Sequence, residues 1–304
     1  MGRARSVAAL SIVVLVLGAC ATTPSTPPNN AEQFVEYEQV LQVGQRLNHQ
    51  YGPHAQHRFD LWRPADSNDA PVVVFVHGGF WKDEPATHNR GAIPEAVKDL
   101  LHHGYAVASI SYRGVDFPVD AVHPDAIQDV KRAVAYLHGN RFLFHIGSEV
   151  HLIGYSAGGH LALMAAMTYG DATMTPAVGE VRVESVVSVA GPTDIPALAA
   201  IVDDLTLTRI GALNDYVCGS PAAPCYVNPG LSPMGHVSAD DPPALLIYGS
   251  ADTLVPPSQG EELEEALHGV GVTAAFGTLP FDHPGIQHQL NTTQLAAWMA
   301  TPSD

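Results

Sequence analysis

The stretch Gly154-Tyr155-Ser156-Ala157-Gly158-Gly159 constrains this chain more than any other. The β-favouring run Val150-His151-Leu152-Ile153 precedes it, and the helix-competent run Leu161 to Met167 follows. It therefore reads as a sharp strand-to-helix turn. Glycines on either side of the serine let neighbouring backbone approach without a side chain in the way. Such a turn leaves amides at the helix start unpaired and aimed outward, so the serine gains exposure and a positive environment. As a bare pattern Gly-x-Ser-x-Gly is an ordinary turn; its meaning depends on what else the chain supplies.

A second turn supplies part of it. Val72 to Val76 is apolar throughout, as a central strand covered on both faces should be, and it runs into His77-Gly78-Gly79-Phe80-Trp81. Glycines there let backbone amides face a cleft at the carboxyl end of a sheet. Acyl transfer needs donors from two separate loops around one oxygen, and the two turns together meet that need.

Strand and helix signals alternate along the rest of the chain. Strands are expected at residues 57–64, 105–112, 183–189, 244–248 and 272–279, and helices at 93–103, 125–138 and 292–299. The repetition predicts an α/β fold: a mostly parallel central sheet with helices on both faces and active residues at the strand ends. Residues 34–47 are ambiguous between strand and helix. The stretch from Pro192 to Pro243 is too long for a simple connection, and Ile201 to Leu213 within it could be helical. It reads as a small cap insertion, about residues 195–242, that shapes substrate choice.

A serine hydroxyl is a poor nucleophile until a histidine takes its proton and a carboxylate orients that histidine. Asp252, just past the strand at 244–248, is the expected acid; Asp194 is the other candidate. His283 and His288 both follow the last expected strand. His283 is favoured by the order Ser, Asp, His and by its position nearer the strand end, although Pro284 restricts it toward extended geometry. His288 stays open as the alternative.

The first residues are a different object. A basic start with Arg3 and Arg5, an apolar run from Val7 to Leu17, and Leu17-Gly18-Ala19-Cys20 form an export signal over residues 1–19. Its end resembles a bacterial lipobox, with Cys20 acylated and residues 20–30 as a Pro/Thr/Ser-rich stalk to a domain at 31–304. The expected location is the bacterial cell envelope, with the membrane reached through the lipid. The formal charge is -17, and removing Arg3 and Arg5 leaves 12 basic against 31 acidic residues, -19, which argues against nucleic acid as a partner. Cys218 and Cys225 remain, and an oxidising compartment predicts a disulfide between them. The 16 histidines form no spaced set with these cysteines, so no metal site is expected, and no cofactor.

With these residues in place, the chain from about Tyr51 onward resembles the α/β-hydrolases, nearest the esterases and lipases carrying His-Gly-Gly-x-Trp and Gly-x-Ser-Ala-Gly-Gly. The hormone-sensitive-lipase-like, feruloyl-esterase-like and kynurenine-formamidase-like groups share these features. The resemblance implies Ser156 as nucleophile, and an oxyanion hole from the amides of Ala157 and of Gly78, Gly79 and Phe80. Phe80, Trp81 and Tyr155 become candidates for lining the substrate pocket. The expected activity is hydrolysis of a small-molecule carboxyl ester through an acyl-enzyme. The alternatives are an arylformamidase or aryl-amidase, or a non-catalytic binding lipoprotein on the same fold.

Overall fold

Val72, Val73 and Val74 have no solvent-exposed surface, and the sheet is built outward from them. In the computed structural model the described residues are 44–82, 94–115, 121–201, 206–218, 228–287 and 289–300. The strands are β1 (Gly44–Gln50), β2 (Arg58–Arg63), β3 (Ala70–Val76), β4 (Ala106–Ile110), β5 (Ile146–Tyr155), β6 (Ser185–Val189), β7 (Ala244–Gly249) and β8 (Ala274–Leu279). The sheet order is β1-β2-β4-β3-β5-β6-β7-β8. From β4 to β8 every neighbouring pair is parallel, while β1 and β2 form an antiparallel edge. Of the ambiguous segment 34–47, residues 44–47 enter β1 and the rest lie outside the described residues.

The helices are α1 (Pro94–His102), α2 (Asp125–Gly139), α3 (Arg141–Phe144), α4 (Ala157–Met167), α5 (Ile195–Ala200), α6 (Thr206–Cys218), α7 (Ser258–Gly269), α8 (His283–Ile286) and α9 (Thr292–Met299). Helix α4 is buried along its whole length, which explains why its sequence is apolar all round. The stretch from Pro192 to Pro243 is less irregular than its composition suggests. Asp194 accepts a hydrogen bond from the Ala197 amide at 3.0 Å and, with Pro196 in the first turn, starts α5; a second helix, α6, follows.

The chain goes from β3 outward to β4, then back across β3 to β5. Loops leaving β3 and β5 therefore diverge, and a crevice opens at the carboxyl ends of these two strands. Val76 pairs with Gly154, so the turns carrying Gly78-Gly79 and Ser156 leave the sheet at the same level. Gly249 pairs with Leu279, which brings the segments after β7 and β8 out side by side.

The fold is also held by buried charge around α2. Asp129 on α2 accepts from Arg113 Nε at 2.8 Å and the Arg113 amide at 3.0 Å through Oδ2 and from Arg113 Nη2 at 2.8 Å through Oδ1, and His57 Nε2 lies 2.8 Å from that same Oδ1. Burial pushes the carboxyl up, but the bonds from His57 and Arg113 outweigh it and hold it below its usual range. Removing one member of such a buried set strands the others. Asp129→Ala is expected to cost about 3–5 kcal/mol of stability, seen as a thermal midpoint lowered by on the order of 10 °C. A midpoint unchanged in calorimetry would mean that the network contributes nothing.

Candidate active site

Ser156 sits between β5 and α4 at φ 54°, ψ −124°, a region costing on the order of 1–3 kcal/mol for a residue with a side chain. The surroundings enforce it. The Ser156 amide donates to Val189 O on β6 at 2.8 Å, and a Cβ at Gly158 would lie 2.1 Å from Val76 O. Only glycine permits that approach, which brings the start of α4 against the end of β3.

Its hydroxyl is part of a chain of hydrogen bonds. His283 Nε2 lies 2.8 Å from Ser156 Oγ, and His283 Nδ1 lies 2.6 Å from Asp252 Oδ2. Asp252 Oδ1 in turn accepts from the amides of Leu254 and Val255, both at 2.9 Å. These amides fix the carboxylate so that its other oxygen faces the imidazole. The side chain of Asp252 is wholly buried and that of His283 nearly so. Asp252 does not cap a helix: α7 begins after Pro257 with no side-chain cap, and Ser258 is its first residue rather than its cap.

His283 opens the short helix α8. Asp282 caps that helix through the Gly285 amide at 3.0 Å. Pro284 falls in the first turn, where its missing N–H is of no consequence. Tyr155 Oη donates to His283 O at 2.8 Å, holding the histidine from behind. This corrects the expectation that Tyr155 lines the pocket beside the serine. It lines a different cavity, with Phe75, Ile153 and Leu290 among its neighbours. Asp194 is occupied as the α5 cap and does not contact His283. His288 lies outside the described residues, as do Cys20, Cys225 and the side chain of Cys218.

The turn after β3 faces the serine. A Cβ at Gly78 would come within 3.1 Å of Ser156 Cβ, and Tyr112 fixes the turn by donating to His77 O at 3.0 Å and stacking on the His77 ring at 4.2 Å. Gly79, Phe80 and Trp81 all take positive φ, at 103°, 57° and 57°. Between this turn and α4 lies a cleft enclosing about 330 Å³, part of it open to solvent. It is lined by Phe80, Trp81, Ala157 and Pro192, by Leu198 from α5, by Ala212 and Leu213 from α6, and by Leu254 and Val255. Among the described residues lining it, Ser156 carries the one hydroxyl.

The network around Trp81 was not foreseen. Its indole donates to His160 on α4 and its ring stacks on Tyr216 from α6, a set whose members lie far apart in the chain. A hydroxyl placed against an imidazole that is itself held by a carboxylate can give up its proton as it attacks an electrophilic carbon. The apolar cleft would receive the group attached to that carbon.

The chain is similar to a probable carboxylic ester hydrolase, LipM, of Mycobacterium tuberculosis, 29% identical over 241 residues covering 76% of this chain and 54% of LipM. It is also similar to the esterase LipC of the same organism, 32% identical over 237 residues covering 72% of this chain and 54% of LipC. The chain thus spans about half the length of the curated relatives it matches. Among solved structures, a bifunctional GH43-CE protein of Bacteroides eggerthii superposes with a TM-score of 0.73 at 26% identity, covering 84% of this chain and 38% of that one. The architecture is the α/β-hydrolase fold. A family model matches residues 59–267, from β2 through most of α7, and on that match the chain belongs to the BD-FAE family.

Proposed function

We propose that this chain is a serine-dependent carboxylester hydrolase. The observation that carries the reading is the continuous series Asp252, His283, Ser156 opening onto an apolar cleft. Ser156 attacks the ester carbonyl while His283 takes its proton, and Asp252 holds the imidazole in the tautomer that presents Nε2 to the serine. The developing oxyanion is received by the Ala157 amide and by amides of the Gly78-Gly79-Phe80 turn. His283 then protonates the leaving alcohol, and water activated by the same histidine resolves the acyl-enzyme. The esterase relatives support the reaction class. The lipobox-like ending at Cys20 supports an exported, lipid-tethered protein of the cell envelope, and Cys218 with Cys225 supports a disulfide formed there.

The cleft supports an apolar acyl group, with α5 and α6 setting its depth. Hydrolysis of p-nitrophenyl esters from acetate to decanoate, beside N-formyl and anilide substrates, tests the reaction class. Release of formate with every ester left intact would turn the assignment to a formamidase. Ala212→Phe is expected to lower kcat/KM for the longer esters by more than about tenfold while sparing acetate, since each buried methylene is worth ~0.8 kcal/mol. An unchanged length profile would place the acyl group elsewhere.

A further inference from the structure

His160 stands one turn after Ser156 on α4 and has no exposed surface, the single ionisable side chain in an otherwise apolar helix. Trp81 Nε1 donates to its Nδ1 at 3.1 Å, and its Nε2 lies 2.8 Å from Leu231 O. An indole N–H only donates and a carbonyl only accepts, so the tautomer is determined: Nδ1 carries the lone pair and Nε2 the proton. Burial, opposed by the Leu231 carbonyl, pushes this histidine down to about 4, so it is neutral at ordinary pH.

Trp81 ends the run of three residues at positive φ. A conformation that costly for Phe and Trp persists only where the surroundings over-determine it. Three contacts do so: the His160 bond, the Tyr216 ring stacked at 4.8 Å and 13°, and the Val115 amide donating to Trp81 O at 3.1 Å. Tyr216 and Leu231 both belong to the insertion between β6 and β7. One imidazole therefore ties the helix carrying Ser156, the turn carrying Phe80 and the insertion that covers them.

We propose that His160 is a positioning residue: by fixing the Trp81 indole against α4 while bonded to Leu231, it sets the Phe80 turn opposite the Ala157 amide and couples that alignment to seating of the insertion. This rests on the hydrolase reading of the same site. Misplacing a transition-state donor costs rate more than ground-state binding. In the purified full chain, His160→Leu is expected to lower kcat on p-nitrophenyl acetate by about ten- to a hundredfold with KM within about twofold. His160→Gln, whose amide can both accept and donate, should recover a large part of the loss. Trp81→Phe keeps a ring but removes the donor, and should lose as much as His160→Leu; the double variant should lose no more than either alone. Trp81→Phe also keeps the test open if His160→Leu does not fold. The Trp81 indole proton resonance should shift in His160→Leu. An active wild type whose kcat is indifferent to His160→Leu or Trp81→Phe, or whose losses multiply in the double variant, overturns the proposal alone. A wild type inert toward every ester, N-formyl and anilide substrate removes the hydrolase reading and this proposal with it.

Discussion

His283→Ala is expected to lower kcat on p-nitrophenyl butyrate by at least about 10³-fold, and Ser156→Ala by about as much or more, with residual turnover left to the amides and the cleft. The reason is geometric. Ser156 Oγ has His283 Nε2 at 2.8 Å as its proton acceptor, and the imidazole has Asp252 at 2.6 Å on its other nitrogen. Asp252→Asn, which keeps the shape but offers an amide in place of one carboxylate oxygen, should cost about 10⁴-fold by favouring the wrong tautomer. Because the three act as one unit, Ser156→Ala/His283→Ala should be no slower than the worse single variant. His288→Ala is the control, expected to turn over at the wild-type rate. Loss on His288→Ala with His283→Ala still active would exchange the two histidines' roles.

Much of this site is legible in the chain because it is local. A strand, a glycine-flanked serine and an apolar helix follow one another without interruption, and β-strand signals before His77, Asp252 and His283 place all of them at one end of a parallel sheet. What is not legible depends on partners distant in sequence. Asp194 and Asp252 occupy equivalent positions after adjacent strands, and only the fold shows one capping α5 and the other holding an imidazole. Pro284 looks like an obstacle until Asp282 is seen to cap a helix that it enters. Tyr155 is read as a pocket residue from its neighbour Ser156, yet its hydroxyl turns to the backbone of His283, 128 positions on. The bonds of Arg113 and His57 to Asp129, and of Trp81 to His160, leave no pattern of spacing at all. A buried polar residue in an apolar helix, as His160 is in α4, is the one signal that could have pointed to the second of these, since burying an imidazole without partners is costly.

Lowering the pH from 6.5 to 4.5 should remove much of the stability of this domain. His77, His123, His151 and His160 are each pushed down to about 4, chiefly by burial, with the nearby His236 adding to the effect at His123. In the unfolded chain an imidazole titrates near 6.5. Between the two values the unfolded state holds more protons than the folded one, so stability falls as pH falls: it is fully present above about 6.5 and is lost on the way to about 4. His151 and His160 are 3% and 0% exposed, and at ~1.4 kcal/mol per pKa unit each contributes on the order of 3 kcal/mol across that window. Two such groups already amount to a large share of a typical domain's stability of about 5–15 kcal/mol. Asp129 works in the opposite part of the scale: its carboxyl is held below the usual range, so its contribution is lost only at lower pH and cannot offset the histidines. Urea unfolding at pH 7.5, 6.5, 5.5 and 4.5 should show a plateau above 6.5 and then a steep decline, with calorimetry registering net proton uptake on unfolding. His151→Gln, which can keep a bond to Ser185 without an ionisable group, should make that decline shallower. A stability that stayed level from pH 6.5 to 4.5 would mean that these imidazoles find water or carboxylates in the folded protein, and that burial does not hold them neutral.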